Sequence, residues 1–314
     1  MKWQRKHPVA AVVVTFNRKD MLRGCLENLL NLEKAQCDII LIDNASTDGT
    51  KESVQDLIDR QQIYYFNTRE NIGGAGGFRV GAEKAVQLGY EYIWLMDDDT
   101  YVTPLALSEL LKADRRLDGR YGFLSGIAYW TDGSICNMNR QRTGLHKKLE
   151  DYTQDQVPVI MATFVSFFVK ADVIVKYGLP IQEFFIWSDD LEYSRRISRH
   201  LPCYAVPASR VVHRMGSNQK VGIEQDSPDR LWRYRYMYRN EVVLYRREGL
   251  KGYLYLYART AFHLLKVLFK AKTAKSEKLK VIKTSFKKGF HFHPQIEYVN
   301  LEEGKADHDE SAGG

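Results

Sequence analysis

Residues 92–99 read YIWLMDDD, an apolar run that ends in three adjacent aspartates. An uninterrupted apolar run that stops at polar residues is typical of a strand buried on both faces of a parallel sheet. Three earlier segments have the same form, each followed by a helical pattern: 9–16, 38–42 and 63–66. Four successive β–α units predict an α/β fold with a doubly wound, mostly parallel sheet and flanking helices.

Polar side chains collect where these predicted strands end. They are Asn17 and Arg18, Asp43 and Asn44, Asn71, and Asp97 to Asp99. Ligands of open α/β sheets bind beyond the carboxyl ends of the strands. The sequence therefore places a binding site along this edge of the sheet.

The β–α alternation weakens after about residue 120, and the last hundred residues differ in composition. From 228 to about 288 the pattern is mainly helical, aromatic and basic, and the final segment is acidic with few apolar residues. Low hydrophobicity with high charge is typical of disorder. We expect an α/β domain over 1–225, a basic aromatic helical region over 226–290 and a disordered acidic tail over 291–314.

The net charge of +7 over 314 residues is unevenly distributed. Residues 228–294 hold 17 Lys and Arg against 4 Asp and Glu, whereas residues 1–227 hold 28 against 29. A nucleic-acid-binding protein would carry its excess charge across the whole binding domain, so this distribution argues against that class. The basic segment is expected to meet an acidic partner or to be a solvated face.

Cysteine usage and hydropathy indicate a reduced, cytosolic compartment. Four scattered cysteines form no CxxC pair, which is typical of cytosolic proteins. The short apolar run near the start lacks a small-residue cleavage site, so we expect no signal peptide. The most apolar stretch, 253–269, is interrupted by charged residues and is not expected to span a membrane.

The triplet Asp97-Asp98-Asp99 is a candidate metal site. Adjacent carboxylates repel one another, which favours a compensating cation. Alternate residues of an extended segment face the same way, so Asp97 and Asp99 can share one divalent ion. Oxygen ligands suit Mg²⁺ or Mn²⁺ held together with substrate phosphate. The alternative is a solvated acidic turn.

The segment NIGGAGGF, residues 71–78, is a candidate phosphate cradle. Glycine lets backbone N–H groups approach a ligand, and the start of the following helix favours negative charge. The alternative is a flexible turn. Asp43 and Asn44 similarly read either as hydrogen-bonding partners of a base or ribose or as local turn caps.

The segment FFIWSDDLEYSRR, residues 184–196, places Asp189 and Asp190 among aromatic residues. A carboxylate beside apolar rings has a raised pKa, which suits a general base. An Asp in the first turn of a helix is equally typical of a cap, so spacing alone leaves both roles open. His213 follows a short apolar run, and a lone histidine by itself does not indicate a metal ligand.

Six segments in this order, across residues 8–218, resemble family 2 glycosyltransferases of the GT-A fold. They are VVVTFNR, LIDNASTDGT, NIGGAGGF, WLMDDD, FFIWSDDLEYSRR and VVHRMGS. Within that family the chain looks most like bacterial galactofuranosyltransferases and their rhamnosyltransferase relatives, which build cell-surface polysaccharides. Many rhamnosyltransferases have FID where this chain has Phe185-Ile186-Trp187, which favours galactofuranose.

The resemblance implies a role for each matching position. The residues that match nucleotide-sugar contacts are Arg18, Asp43 or Asn44, Asn71 and Asp98. The residues that match ligands of Mn²⁺ or Mg²⁺ are Asp97, Asp99 and His213. Asp190 matches the general base and Asp189 a neighbouring acid that contacts the acceptor. Ser188 departs from the family pattern and leaves the acceptor contacts open.

The resemblance implies an inverting, metal-dependent transfer of a sugar, with UDP-galactofuranose as the favoured donor. The acceptor is expected to be a glycan or a lipid-linked glycan, and no nucleic acid is expected to bind. The alternative within the family is a dTDP-rhamnose-dependent rhamnosyltransferase. The alternatives from other classes are a nucleotidyltransferase and a nucleic-acid-binding protein.

The basic aromatic region has two interpretations. Aromatic rings interleaved with cations are what a helix at a membrane surface needs, so we expect peripheral association with the anionic inner face of the cell membrane. The alternative is that these rings pack on the catalytic domain and only the lysines face water. The sequence leaves the oligomeric state open.

Overall fold

The computed structural model describes residues 3–219 and 221–301, and the rest of the predicted acidic tail lies outside these residues. A mixed α/β sheet forms the centre of the molecule and helices cover it. The strands are β1 (Val9–Thr15), β2 (Asp38–Asp43), β3 (Ile63–Asn67), β4 (Tyr92–Asp97), β5 (Thr100–Val102), β6 (Phe123–Tyr129), β7 (Val157–Pro158), β8 (Phe167–Lys170) and β9 (Tyr204–His213). The helices of the α/β part are α1 (Lys19–Leu30), α2 (Thr50–Ser53), α3 (Gln55–Asp59), α4 (Gly73–Gln87), α5 (Ala106–Arg116), α6 (Ala171–Tyr177) and α7 (Asp189–Ser198).

The strand order is β3-β2-β1-β4-β8-β6-β9-β5, and β7 pairs with β9. The first four strands are parallel, as the sequence predicts, and confirm the α/β class. In the second half β8 runs antiparallel to β4 and β6, and β5 runs antiparallel to β9. Because β5 is only three residues long and follows β4 after a tight turn, it had no recognisable strand pattern.

Both faces of the sheet are buried, which explains the continuous apolar runs. Val9, Ala11 and Val13 of β1 belong to the core on one face, whereas Ala10 and Val12 belong to the core on the other. Side chains alternate between faces along a strand, so a strand covered on both sides needs apolar residues throughout.

The glycine-rich segment lies inside helix α4 rather than in a loop before it. A Cβ atom at Gly77 would lie 2.5 Å from Val14 Cγ1, so this glycine lets α4 pack closely on β1. Gly73 has φ +74°, and a Cβ there would lie 2.2 Å from the Phe185 carbonyl oxygen. These contacts explain Gly73 and Gly77 by packing, and the segment begins a helix rather than forming the flexible turn that was the alternative. Its role toward phosphate stays a prediction.

Three helices follow the α/β part: α8 (Leu231–Arg246), α9 (Gly249–Lys270) and α10 (Lys275–His291). Helix α8 is buried between the sheet domain and the other two helices. Its Tyr234 and Tyr238 pack with α9 and α10, and Val243 packs against Ala75 and Phe184 of the sheet domain. The packing interpretation therefore holds for the tyrosines of α8.

Helix α9, in contrast to α8, has an apolar face that is exposed to solvent. We call the α9 stripe its solvent-exposed apolar residues, which are Leu250, Leu254, Tyr257, Phe262, Leu265, Leu268 and Phe269. From Leu250 to Leu268 they are spaced by three to five residues, and Phe269 follows Leu268 directly, which places all seven on one side of the helix. No helix within the described residues is long and apolar enough to cross a bilayer.

Residues 292–300 follow α10 without regular secondary structure but lie against the sheet domain. Phe292 and Ile296 pack on the cluster around Phe184, and the Leu179 N–H donates to the Glu297 carbonyl. The disorder expected from residue 291 therefore does not extend to this segment, because its scattered apolar residues find a partner surface.

Candidate functional site

Three of the predicted metal ligands come together at the carboxyl edge of the sheet. Asp97 ends β4, and Asp99 follows in the turn to β5. The ladder between β5 and β9 pairs Thr100 with His213, so the histidine lies beside the acidic turn. One ligand atom of each of Asp97, Asp99 and His213 lies within 4.8 Å of the other two.

The contact between His213 and Asp99 is the observation that tests this site for a metal. Nδ1 of His213 lies 2.9 Å from the amide oxygen of Asn139, which only accepts, so Nδ1 carries a proton. Nε2 lies 2.8 Å from Oδ1 of Asp99, an oxygen with no other partner among the described residues. Two lone pairs at this distance need a shared cation or a second proton.

In the absence of a metal ion, a second proton on His213 satisfies this contact. Burial works against a charged imidazole, yet the hydrogen bond and charge of Asp99 raise the pKa of His213 to about 10. Burial, together with the charge of Asp99, raises the pKa of Asp97 to about 6. Two carboxylates and an imidazole with its other nitrogen hydrogen-bonded are a donor set that fits Mn²⁺.

Asp98 and Arg18 lie beside the three candidate ligands. Burial raises the pKa of Asp98 to about 7, although the Thr15 hydroxyl donates to it at 2.7 Å. Nη1 of Arg18 donates to Asp99 at 2.5 Å and lies 3.6 Å from Asp98. Burial alone would raise the pKa of Asp99, but His213 and Arg18 hold it below its usual value. Arg18 is half-exposed, so it borders both the acidic turn and solvent.

The pair Asp189-Asp190 begins helix α7 and lies near enough to the acidic turn for the charge of Asp97 to act on both carboxylates. Ser188 is the N-cap residue, and its side chain makes no capping hydrogen bond. Oδ1 of Asp190 accepts from the Leu191 N–H at 2.7 Å, so this carboxylate also binds the first turn of the helix. Both roles that spacing left open, an acid in an apolar setting and a helix-end contact, are compatible with this geometry.

Burial dominates the acidity of both aspartates. It raises the pKa of Asp190 to about 6, against the Leu191 N–H and the positive charge of Arg142. Burial and the neighbouring charge of Asp190 raise the pKa of Asp189 well above its usual range. The charge of Asp97 raises both values further, so the two acidic groups are electrostatically coupled across one site.

The predicted nucleotide contacts behave differently from one another. Asp43 is buried and accepts from the Tyr65 hydroxyl at 2.6 Å. Asn44 is buried and donates to the Gly73 carbonyl at 2.9 Å, which holds the start of α4. Asn71 is exposed and accepts from the Gly73 N–H at 2.9 Å. Their roles toward a nucleotide stay predictions, and of these three residues Asn71 is the exposed one.

Two residues of the site were missed by sequence reasoning. Asn139 fixes the His213 ring, and its own amide donates to the Thr163 hydroxyl at 3.1 Å. Arg142 lies near Asp190 and donates to the Tyr245 hydroxyl of α8 at 3.3 Å. Both lie in the irregular segment between β6 and β7, where no motif or period marks them.

Comparison with known proteins places the chain among sugar-transferring enzymes. The family model described as "Glycosyl transferase family 2" matches residues 10–173. "Galactofuranosyltransferase GlfT1" of Mycolicibacterium smegmatis is 26% identical over 271 residues, covering 78% of this chain and 85% of that protein.

Two solved structures show the fold. GalNAc-T7 with UDP, GalNAc and Mn²⁺ superposes with a TM-score of 0.62 at 17% identity, over 91% of this chain and 56% of that one. The mannosyltransferase PcManGT of Pyrobaculum calidifontis, in complex with GDP-Man and Mn²⁺, gives 0.55 at 13% identity, over 99% and 83%. These likenesses confirm the GT-A fold.

Proposed function

The chain belongs to glycosyl transferase family 2 and is a glycosyltransferase, and from this premise we propose that it transfers galactofuranose from UDP-galactofuranose to a glycan or lipid-linked glycan acceptor with inversion. The observation that carries the proposal is the grouping of Asp97, Asp99 and His213 around one point at the carboxyl edge of the sheet, near enough to the start of α7 for the charge of Asp97 to act on Asp190. This family membership favours transfer of a sugar over the nucleotidyltransferase and nucleic-acid-binding alternatives.

Asp190 is the proposed general base. Its carboxylate removes the proton of an acceptor hydroxyl, and that oxygen forms a bond to the anomeric carbon on the face opposite the diphosphate. The bond between the anomeric carbon and the diphosphate breaks, and UDP leaves. One displacement without a covalent enzyme intermediate inverts the anomeric configuration. A pKa of about 6 keeps Asp190 ionised and basic at neutral pH.

Asp97, Asp99 and His213 are proposed to hold Mn²⁺ or Mg²⁺, and Arg18 to lie beside the donor phosphates. When bound, the divalent ion neutralises the charge that develops on the departing diphosphate. Asn139 orients His213 by accepting from Nδ1, which leaves Nε2 directed at the acidic turn. Such outer contacts fix the tautomer of a metal-binding histidine.

The choice of galactofuranose is supported by the similarity to GlfT1, which extends over most of both chains. An identity of 26% leaves dTDP-rhamnose as the alternative donor. We therefore treat the donor as the feature that experiment must decide first.

The acceptor is proposed to be met at an anionic membrane surface, in the cytoplasm. The α9 stripe supplies a contiguous exposed apolar face of a kind that single soluble domains rarely carry. Exposed lysines border it on α9 and lie along α10; they are Lys251, Lys270, Lys275, Lys280, Lys283, Lys287 and Lys288. An apolar face with a cationic border suits a helix lying in the headgroup region.

A donor panel tests the proposal. The purified enzyme is incubated with UDP-galactofuranose, UDP-galactopyranose, UDP-glucose or dTDP-rhamnose, each with and without Mn²⁺, and nucleotide release is measured. We expect release from UDP-galactofuranose that depends on Mn²⁺ and is lost in Asp190→Asn. Preferential turnover of dTDP-rhamnose would instead assign the alternative donor, and metal-independent turnover would contradict the proposed role of Asp97, Asp99 and His213.

A further inference from the structure

The turn that leads into the Asp189-Asp190 pair has an unusual backbone. Phe185, Trp187 and Ser188 have φ values of 62°, 67° and 67°, a region that non-glycine residues rarely adopt. The Ile186 N–H donates to the Phe184 carbonyl at 2.7 Å, which closes a three-residue turn around Phe185. Such conformations persist only where the surroundings hold them in place.

Asn240 of α8 supplies much of that restraint. Its amide nitrogen donates to the carbonyl oxygens of Phe184 at 2.9 Å, Ile186 at 3.2 Å and Trp187 at 2.9 Å. The side chain has no exposed surface. An amide has two N–H groups, so the three carbonyls share them.

The orientation of the Asn240 amide is itself fixed. Its oxygen accepts from Arg239 Nε at 3.0 Å and Nη2 at 2.9 Å, and Arg239 also donates to the Glu183 carbonyl. The guanidinium of Arg239 lies over the ring of Phe292 at 3.9 Å. Because Arg239 only donates, the nitrogen of Asn240 must face the turn.

The other side of the turn meets the start of α4. The Phe185 carbonyl accepts from the Ala75 N–H at 3.2 Å, and Gly73 approaches the same carbonyl where a Cβ would not fit. The ring of Phe185 stacks on Tyr236 of α8 at 4.9 Å. The turn is thus clamped between α4 on one side and α8 on the other.

We propose that Asn240 is a positioning residue: by tying three carbonyls of the turn to α8, it aims the carboxylate of Asp190 at the acceptor hydroxyl. This proposal rests on the proposed role of Asp190. Asn240 itself touches no reacting group, so its effect on the reaction passes through the direction and spacing of the first turn of α7.

The test compares Asn240→Ala with Lys278→Met. Lys278 is also fully buried in the C-terminal helices, where its amine donates to the Glu224 carbonyl at 3.2 Å, so both variants lose a buried donor to the backbone. A misplacement of about 1 Å costs on the order of 100-fold in rate, which is the loss of kcat expected for Asn240→Ala. The KM for the donor should stay within about threefold, because the residues around Asp97 are unchanged.

Two further readouts separate positioning from general destabilisation. Calorimetry of UDP with Mn²⁺ should give wild-type affinity in folded Asn240→Ala. Hydrogen–deuterium exchange should rise in the peptide that covers 184–191 in Asn240→Ala and not in Lys278→Met. The exchange and binding measurements need no turnover. If the wild type were inactive toward every donor tested, the proposed function would be refuted, and these measurements would still test whether Asn240 holds the turn.

Wild-type kcat in folded Asn240→Ala, or an equal loss in Lys278→Met at equal folded fraction, would overturn the proposal. Unchanged exchange across 184–191 would overturn it as well, since the turn would then be held without Asn240. If Asn240→Ala does not fold, Asn240→Ser, with a hydroxyl that donates to one carbonyl, is measured in the same way. An intermediate loss of kcat is expected for it, and wild-type kcat overturns the proposal.

Discussion

Replacing two exposed residues of the α9 stripe should weaken binding to anionic vesicles by about two orders of magnitude. Leu254 and Phe269 are 63% and 78% exposed, so a double change of Leu254→Ser and Phe269→Ser removes apolar surface without opening the core. Full burial of such a side chain is worth roughly 1.5–3 kcal/mol, so the exposed parts supply about 1–2 kcal/mol each on insertion. The pair then contributes about 3 kcal/mol, or roughly 100-fold in the partition coefficient.

Co-sedimentation with vesicles measures this coefficient directly. The wild type, the double variant and a control are mixed with phosphatidylglycerol vesicles and with phosphatidylcholine vesicles at several lipid concentrations. The control carries Met138→Ser and Val175→Ser, two exposed apolar residues outside the C-terminal helices. The lysines near the stripe should make wild-type binding stronger on the anionic lipid, by about 1 kcal/mol for each lysine that reaches the surface.

Equal binding of the double variant and the wild type would refute the assignment of the stripe to a membrane. Wild-type binding that does not depend on anionic lipid would refute the role of the lysines. If the wild type is a dimer, the double variant is a monomer and neither binds vesicles, the stripe would instead be a contact between two copies of the chain.

Three further predictions concern the site and its scaffold. The kcat of the wild type should fall about tenfold per pH unit below about pH 6, because burial raises the pKa of Asp190 to about 6 and the base must be ionised. Asp190→Asn should lose turnover while binding UDP normally, and unchanged turnover in this variant would contradict the assignment. In calorimetry, Asp99→Ala should weaken Mn²⁺-dependent UDP binding by at least about tenfold, as expected when a metal ligand is removed. Asp172→Ala, which changes an exposed acid elsewhere, should bind UDP like the wild type. Equal binding by the two variants would argue against a metal at the acidic turn. In urea denaturation, Gly77→Ala should destabilise the fold by about 2 kcal/mol, because its Cβ would lie 2.5 Å from Val14. Gly74→Ala, whose Cβ meets nothing within 4 Å, should be neutral or slightly stabilising. Equal stability of the two variants would refute the packing role of Gly77.

The parallel half of the sheet was the part most accessible from sequence. Its four strands are found within one residue of the predicted ends, because each is buried on both faces and must be apolar throughout. The helical pattern that follows the second strand is two short helices that meet at Val54, a buried residue with φ −120°. Val54 is packed into the core on one face of the sheet, a tertiary contact that no local pattern reveals.

Some residues of the candidate site could also be predicted from the sequence, and others could not. Carboxylates at a strand end could be recognised because their position follows from the topology, and His213 only through the family resemblance. Asn139, Arg142 and Asn240 could not be found, since each acts through a partner more than fifty residues away in the chain. The α8 and α9 sequences look alike in composition, yet one is buried and the other exposed, because which face meets the sheet domain is decided by contacts distant in sequence.

Helix α8 limits how this enzyme can be recombined with its relatives. It lies in the basic, C-terminal part of the chain, yet Val243 completes the core around Phe184 and Asn240 holds the turn before α7. A chimera that exchanged everything after residue 226 would therefore change contacts of the sheet domain along with the α9 stripe. The exchangeable unit begins after Glu248, whose carboxylate pairs with Arg195 and Arg199 of the sheet domain. Grafting α9 and α10 alone, with Arg259 kept for Glu241, would exchange the α9 stripe and leave Asp97, Asp99 and His213 unchanged.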